Sequence, residues 1–166
     1  SSQIIFDDEP HCQEHSLEVQ IPFLQKILIN FRILPLTVGN ISPEKLSVII
    51  EQLWGDNSTR FLVSSDLSHY HDYETAKKVD NETASAIETF NHNLLSSNRA
   101  CGFIPISGML IAAKNKGLAI KRLGLINSGD TYGSKEKVVG YGTWALHKSG
   151  DQRANISPKD DIAILK

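Results

Sequence analysis

The feature that most constrains this chain is an apolar run that passes directly into polar and ionisable residues. The run is Phe-Leu-Val at residues 61–63, and Ser-Ser-Asp-Leu-Ser-His-Tyr follows at residues 64–70. β-Branched and aromatic residues are typical of a buried strand, and ligands of open α/β sheets bind beyond the carboxyl ends of the strands. The pattern predicts a strand over residues 60–64 and makes Asp66 and His69 the first candidate functional residues. The alternative is that these polar residues only form a turn or cap a helix.

Helical and strand patterns alternate along the rest of the chain. Apolar residues at spacings of three and four predict helices from residue 14 to about residue 28, and over residues 43–54, 73–90 and 106–113. Apolar stretches bounded by turn residues predict strands over residues 31–38, 119–127 and 138–147. This alternation is typical of an α/β fold in which helices cover both faces of a sheet.

Composition and charge exclude several classes of function. The 166 residues fit one domain, and 40% apolar and 22% charged residues are ordinary for a globular protein. A net charge of −2 without a basic run gives no general attraction to nucleic acid or to an anionic membrane. No apolar stretch approaches the length of roughly 18 residues that a transmembrane helix needs. Two cysteines do not make a disulfide framework, and we expect a reducing, cytoplasmic environment.

Two further polar clusters stand at the start of predicted helices. Glu-His-Ser-Leu-Glu at residues 14–18 places His15 at a helix N-terminus, where backbone amides favour an anion. The alternative for His15 is a structural histidine beside a serine cap. Cys101 precedes the apolar helix predicted over residues 106–113, and a helix N-terminus favours the thiolate that binds metals or attacks substrates. The alternative for Cys101 is a small buried hydrophobic residue.

The pair Asp66 and His69 resembles a carboxylate that orients an imidazole, the usual support for a general base or a metal ligand. The chain contains no Cys-x-x-Cys, no His-Glu-x-x-His, no phosphate loop and no nucleophile elbow. From the residues alone we predict an α/β domain with a site made of His, Asp and Cys, and metal binding is one option for that site.

Several motifs, in this order along the chain, resemble those of the Memo family, whose prokaryotic members are called AmmeMemoRadiSam system protein B. They are Glu-His-Ser-Leu-Glu-Val-Gln-Ile-Pro-Phe-Leu-Gln at residues 14–25, Val-Ser-Ser-Asp-Leu-Ser-His-Tyr at 63–70, Cys-Gly with Pro-Ile at 101–106, Asn-Ser-Gly-Asp at 127–130 and Val-Gly-Tyr at 139–141. The resemblance extends to about His147.

The resemblance implies a fold similar to the class III extradiol dioxygenases, a layered α/β sandwich with a mixed sheet covered by helices. It also implies a His-His-Cys ligand set for iron or copper, in which the cysteine matches Cys101. The two family histidines lie in a Pro-His-Ala-Gly-Tyr motif and a Ser-His motif, outside the portion matched here. His69 matches a family histidine that lines the same pocket, and His15 matches the neighbouring Glu-His-Ser motif. Residues 1–148 are then expected to be the C-terminal portion of a Memo-like domain, with an incomplete metal site.

Two functional hypotheses follow from the resemblance, and they leave open whether the domain is an enzyme. The first is a non-haem iron or copper oxidoreductase-like domain with Cys101 as metal ligand. In it, His15 and His69 are acid–base or substrate-orienting groups, and Asp66 fixes the tautomer of His69. The second is a non-catalytic module that binds a peptide or partner protein through the same pocket. The expected occupant is accordingly a small molecule or a peptide.

Residues 149–166 form a separate segment by composition. We interpret residues 149–156 as a linker, and the Ser-Pro-Lys-Asp-Asp at residues 157–161 as a helix start that resembles the opening of the Amme domain. The alternative is a polar tail without structure. An Amme domain would imply a functional link to Amme and radical SAM proteins. We also expect self-association into a homo-oligomer if apolar surface is left uncovered.

Overall fold

Four α-helices form in the part of the chain that the computed structural model describes, which is residues 4–56 and 58–148. They are α1 (Ile21–Ile27), α2 (Pro43–Leu53), α3 (Tyr73–Glu88) and α4 (Phe103–Asn115), and short 3-10 helices lie at Glu9–His11, His92–Leu94 and Ser128–Asp130. Two of the α-helices have side-chain caps. Ser42 accepts a hydrogen bond from the Lys45 N–H at the start of α2, and Asp72 accepts one from the Thr75 N–H at the start of α3. The helices predicted over residues 43–54 and 73–90 are confirmed.

The other two helices differ from their predicted limits. The helix expected from residue 14 begins only at Ile21, and residues 16–20 form turns. Pro22 accounts for this, because proline lacks an N–H group and is tolerated only in the first turn of a helix. The helix expected over residues 106–113 is longer and begins at Phe103, which places Pro105 in its first turn. His15 is therefore not at a helix N-terminus.

The described strands form one antiparallel sheet with the order β1-β3-β2. They are β1 (His69–His71), β2 (Leu118–Asn127) and β3 (Val138–Lys148). β2 and β3 make a long hairpin in which Asn127 lies opposite Gly140, and β1 pairs with the start of β3 through His69 and Val139. The predicted strands over residues 119–127 and 138–147 are confirmed, and the α/β class with them. The mixed sheet is not found among the described residues, because every strand pair there is antiparallel.

The strands predicted over residues 31–38 and 60–64 are wrong for this structure. Both stretches lack regular secondary structure in the described part of the chain. Their composition favours a strand, but a strand also needs a neighbour to pair with its backbone N–H and C=O groups. No described strand pairs with either stretch, and several of their side chains are exposed, including 64% of Leu34 and 48% of Leu62.

α4 lies at the centre of two apolar clusters. Leu46 and Ile50 of α2 pack on Met109 and Ala112 of α4. The second cluster brings Leu110 of α4 against α3 residues, with Trp144 of β3 at its edge. The helices α2 and α4 approach so closely that a Cβ atom at Gly108 would lie 2.9 Å from the Leu46 side chain. The apolar sequence of α4 is explained by this burial between elements.

Residues 149–166 lie outside the described residues, and so does the predicted linker or Amme-like helix within them. Within the described residues, no helix combines the length and the apolar character that crossing a membrane would require.

Candidate functional site

The polar segment that follows residues 61–63 is held by the sheet and by α3. The Leu67 N–H donates to the Gly140 carbonyl at 2.9 Å, and the Gly140 N–H donates to the Ser68 carbonyl at 2.8 Å. The Ser68 N–H donates to a carboxylate oxygen of Asp80 on α3 at 3.0 Å. Three hydrogen bonds therefore fix the backbone between Asp66 and His69, directly before it enters β1.

The predicted pair of Asp66 and His69 is present. The His69 Nε2 atom lies 3.4 Å from the Asp66 Oδ2 atom, and both side chains are partly exposed, at 31% and 47%. The contact is an ion pair only when the imidazole is protonated, and its length and exposure make it weak in water. Tyr141 of β3 lines the cleft together with Asp66. Burial and then the Asp66 carboxylate raise the pKa of the Tyr141 hydroxyl, because both disfavour a phenolate there.

Cys101 contacts the same segment. Its N–H donates to the Asp66 carbonyl at 3.3 Å, and its Sγ atom lies 3.4 Å from the Ser65 hydroxyl. The Ser65 hydroxyl also accepts the N–H of Gly102 at 2.8 Å. Cys101 is exposed, so the alternative of a small buried hydrophobic residue is wrong. The thiol is free to meet a ligand.

His15 lies on a turn before α1 and has a partner within that turn. Its Nδ1 atom is 2.6 Å from the Glu18 carboxylate, and both side chains are mostly exposed. Nearby, the Ser16 N–H donates to the Glu14 carboxylate at 2.8 Å, and this interaction lowers the pKa of Glu14. Gln20 connects the turn to the polar segment, because its amide donates to the Ser64 hydroxyl at 3.2 Å.

These elements surround a cleft of about 1130 Å³. Its walls are the turn at residues 14–16, the extended residues 59–67 and the β3 residues 141–148, and Cys101 lies among them. His15, Asp66 and Cys101 all line the cleft. His69 is not part of its lining and reaches the cleft only through Asp66. Gly140 is the last β3 residue that exchanges backbone hydrogen bonds with residues 61–68 in the described part of the chain, so the two walls separate beyond it.

The described residues do not by themselves complete a metal site. Among them, no group of three or more His, Cys, Asp and Glu side chains is placed so that it could hold a metal ion. Three or four protein ligands are usual for iron, copper and zinc. Cys101 and Asp66 therefore supply at most one side of such a site.

Two residues of the site were not singled out from the sequence. Tyr141 belongs to the Val-Gly-Tyr motif but carried no predicted role. Asp80 is only 2% exposed and lies on the same helix face as the buried Ala76 and Ala84. The sequence could have indicated Asp80, because it lies four residues from each of two alanines on the apolar face of a predicted helix. Burial of a charged side chain on such a face is unfavourable in free energy, so its presence indicates a specific role.

Comparison with known proteins finds the same family that the motifs resemble. The family model described as Memo-like protein matches residues 1–145. A MEMO1 family protein of Methanosarcina mazei is 37% identical over 149 residues, which cover 81% of this chain and 55% of that protein. MEMO1 family proteins of Thermoplasma acidophilum and Saccharolobus solfataricus are 35% and 34% identical over 85% of this chain and 56% and 54% of their own lengths.

The chain thus spans about half the length of the curated relatives it matches. The family match covers nearly all the described residues, including every residue of the cleft from Glu14 to Tyr141. On this evidence the chain belongs to the Memo family.

Proposed function

We propose that the chain supplies one side of a metal-binding, oxidoreductase-like pocket, with the Cys101 thiolate as its metal ligand. Iron or copper is the expected metal, and the other ligands would come from polypeptide outside the described residues. The observation that carries this proposal is the convergence of the exposed Cys101 thiol and the Asp66 carboxylate on one large cleft.

The surroundings of Cys101 suit a ligand better than a packing residue. Its sulfur lies 3.4 Å from Ser65 Oγ and 3.8 Å from the Asp66 carbonyl oxygen, so its hydrogen-bond contacts are polar oxygens. A soft thiolate favours copper or iron over magnesium or calcium. Its backbone N–H is anchored on Asp66, which gives the sulfur a defined position before any metal binds.

The other side chains have proton-handling roles in this proposal. Asp66 orients the His69 imidazole from 3.4 Å away at its Nε2 atom, so the Nδ1 atom of the ring is the one that accepts or releases a proton. Tyr141 keeps its proton at neutral pH, since its pKa is raised, and it can donate a hydrogen bond to an anionic ligand in the cleft. His15 is paired with Glu18 at the rim, where it suits substrate orientation.

A titration of the chain with Cu(I) and with Co(II) tests the thiolate ligand. We expect a Cys101-dependent thiolate-to-metal charge-transfer band, with weak affinity because this chain alone has too few ligands. The band should disappear in Cys101→Ala and persist in Cys12→Ala, which removes the other exposed free cysteine. A band of equal strength in both variants, or no band in the unmodified chain, would contradict the proposal.

A second candidate function is recognition of an extended peptide in the same cleft. One wall of the cleft is β3, whose residues 141–148 pair with β2 along one edge, while its other edge faces the cleft. An extended peptide can add to such an edge through its backbone, with its side chains in the neighbouring pockets. Peptide binding of this type would be insensitive to Cys101→Ala, whereas metal binding would not.

A further inference from the structure

Asp80 is a buried carboxylate whose hydrogen bonds are incomplete. It projects from the inward face of α3 and is 2% exposed. One of its oxygens accepts the Ser68 N–H at 3.0 Å. The other oxygen, Oδ2, is buried and has no hydrogen-bond partner in the part of the chain that the structure describes.

Packing alone does not explain a carboxylate at this position. Burial of a charged or polar group with one neutral donor is unfavourable, and an apolar side chain of similar volume is often tolerated better. Consistent with this, burial raises the pKa of Asp80, and the Ser68 N–H and hydroxyl, followed by His71 and His69, act in the opposite direction. This unfavourable burial indicates that the carboxylate has a role other than stabilising the fold.

The carboxylate lies directly over the junction between the polar segment and β3. Gly140 exchanges backbone hydrogen bonds with Leu67 and Ser68 at this junction. A Cβ atom at Gly140 would overlap the Oδ2 atom of Asp80, so the absence of a side chain at Gly140 makes room for the carboxylate. Three elements thus meet at Asp80: α3, β3 and the segment that carries Asp66 and His69.

We propose that Asp80 is a positioning residue that holds the Ser68 N–H and thereby sets the geometry of Asp66 and His69 on either side of it. Asp66 and His69 are two residues before and one residue after Ser68, and their side chains meet at 3.4 Å. A free Ser68 N–H would let this backbone rotate and separate the two side chains. The functional meaning of this inference rests on the role proposed above for His69.

Hydrogen exchange and the imidazole resonances of His69 test the proposal on the metal-free chain. In Asp80→Ala, we expect the Ser68 amide to exchange at least about tenfold faster, relative to a core amide such as that of Ala112, because a hydrogen bond to a charged acceptor is lost. The His69 ring signals should shift as well. Asp80→Asn keeps an oxygen acceptor, so it should restore both readouts nearly to those of the unmodified chain.

Thr83→Ala is the matched control, because Thr83 is equally buried on α3 but its hydroxyl donates only to Val79 of its own helix. If Asp80→Ala changes the Ser68 amide exchange rate and the His69 ring resonances no more than this control does, the proposal is overturned. If Asp80→Ala does not fold, Asp80→Asn decides: a strong acceleration at Ser68, or failure to fold, overturns the proposal. Since both readouts are taken without metal, failure of metal binding and failure of positioning are distinguishable.

Discussion

Gly102 packs directly against Ser65, a residue that lines the cleft. A Cβ atom there would lie 2.7 Å from the Ser65 Cβ atom, and the Gly102 N–H is already bonded to the Ser65 hydroxyl. We expect Gly102→Ala to destabilise the fold by about 1–3 kcal/mol, because Ser65 must move away from the start of α4. Urea unfolding followed by circular dichroism measures this difference.

Gly124→Ala is the control for this substitution. Gly124 lies in β2, and a Cβ atom there would meet no atom within 4 Å. Its replacement should therefore change the free energy of unfolding by much less. Equal losses in the two variants would show that the contact between Gly102 and Ser65 does not constrain the structure.

Asp66 and Cys101 could be expected near each other from the sequence, because a clear local pattern flanks each of them. Asp66 follows an apolar run and Cys101 precedes a helix, and the structure brings their main chains within 3.3 Å of each other. Asp80 had no such context, because its contact with Ser68 depends on how α3 packs against a sheet that was not yet known. The position of His69 outside the cleft lining also depends on the fold, because β1 turns there at Tyr70, whose φ is 61°.

At the scale of elements, one hydrogen bond connects α3 to the turn between β2 and β3. The Tyr73 hydroxyl donates to the Asp130 carboxylate at 2.6 Å, which raises the pKa of Tyr73 and lowers the pKa of Asp130. We expect Tyr73→Phe to remove this bond but to keep the ring contacts with Lys77 and Lys135, since these need only the aromatic face. The free energy of unfolding should decrease at neutral pH.

The pH dependence of that decrease has a defined sign. Because the pKa of Asp130 is lowered in the folded state, its carboxylate stabilises the fold at pH values above its unfolded-state pKa. This stabilisation is lost as the pH falls through the folded-state pKa. Because the pKa of Tyr73 is raised in the folded state, its protonated hydroxyl stabilises the fold below pH about 10. This stabilisation is lost as the pH rises through the folded-state pKa. The difference between Tyr73→Phe and the unmodified chain should therefore be largest between about pH 4 and 10. Urea denaturation across and beyond this pH range measures the difference in the free energy of unfolding. Tyr132→Phe, at a fully exposed tyrosine, is the control. A difference that is constant at every pH, or an equal effect of the control, would contradict the prediction.

Elements were predicted from sequence to the extent that local interactions determine them. The helices α2 and α3 have caps and amphipathic spacing within themselves, and β2 and β3 are consecutive strands that pair with each other across residues 128–137. Residues 31–38 have a similar strand composition but no described strand beside them. A strand forms through its neighbour, and no pattern inside one stretch of sequence reports whether that neighbour is present.

At the scale of the whole molecule, the described residues leave several large apolar side chains exposed. Ile29 is 96% exposed, Leu34 is 64% exposed and Phe6 is 100% exposed. The relatives are nearly twice as long as the portion matched here. In those longer proteins, further polypeptide is available to cover an apolar surface of this kind, which single globular domains rarely leave open.

We expect the chain by itself to bury part of this surface against a second copy. Burying one large apolar side chain contributes about 1.5–3 kcal/mol, so a double Ile29→Lys and Leu34→Lys variant should weaken self-association by about a hundredfold or more. Sedimentation velocity over a range of concentrations measures the shift from dimer or larger species to monomer. Leu94→Lys, which places one lysine on another exposed leucine in a 3-10 helix, should leave the association unchanged. If the unmodified chain is monomeric throughout, or if Leu94→Lys has the same effect as the double variant, residues 27–36 are not the surface through which copies of this chain associate.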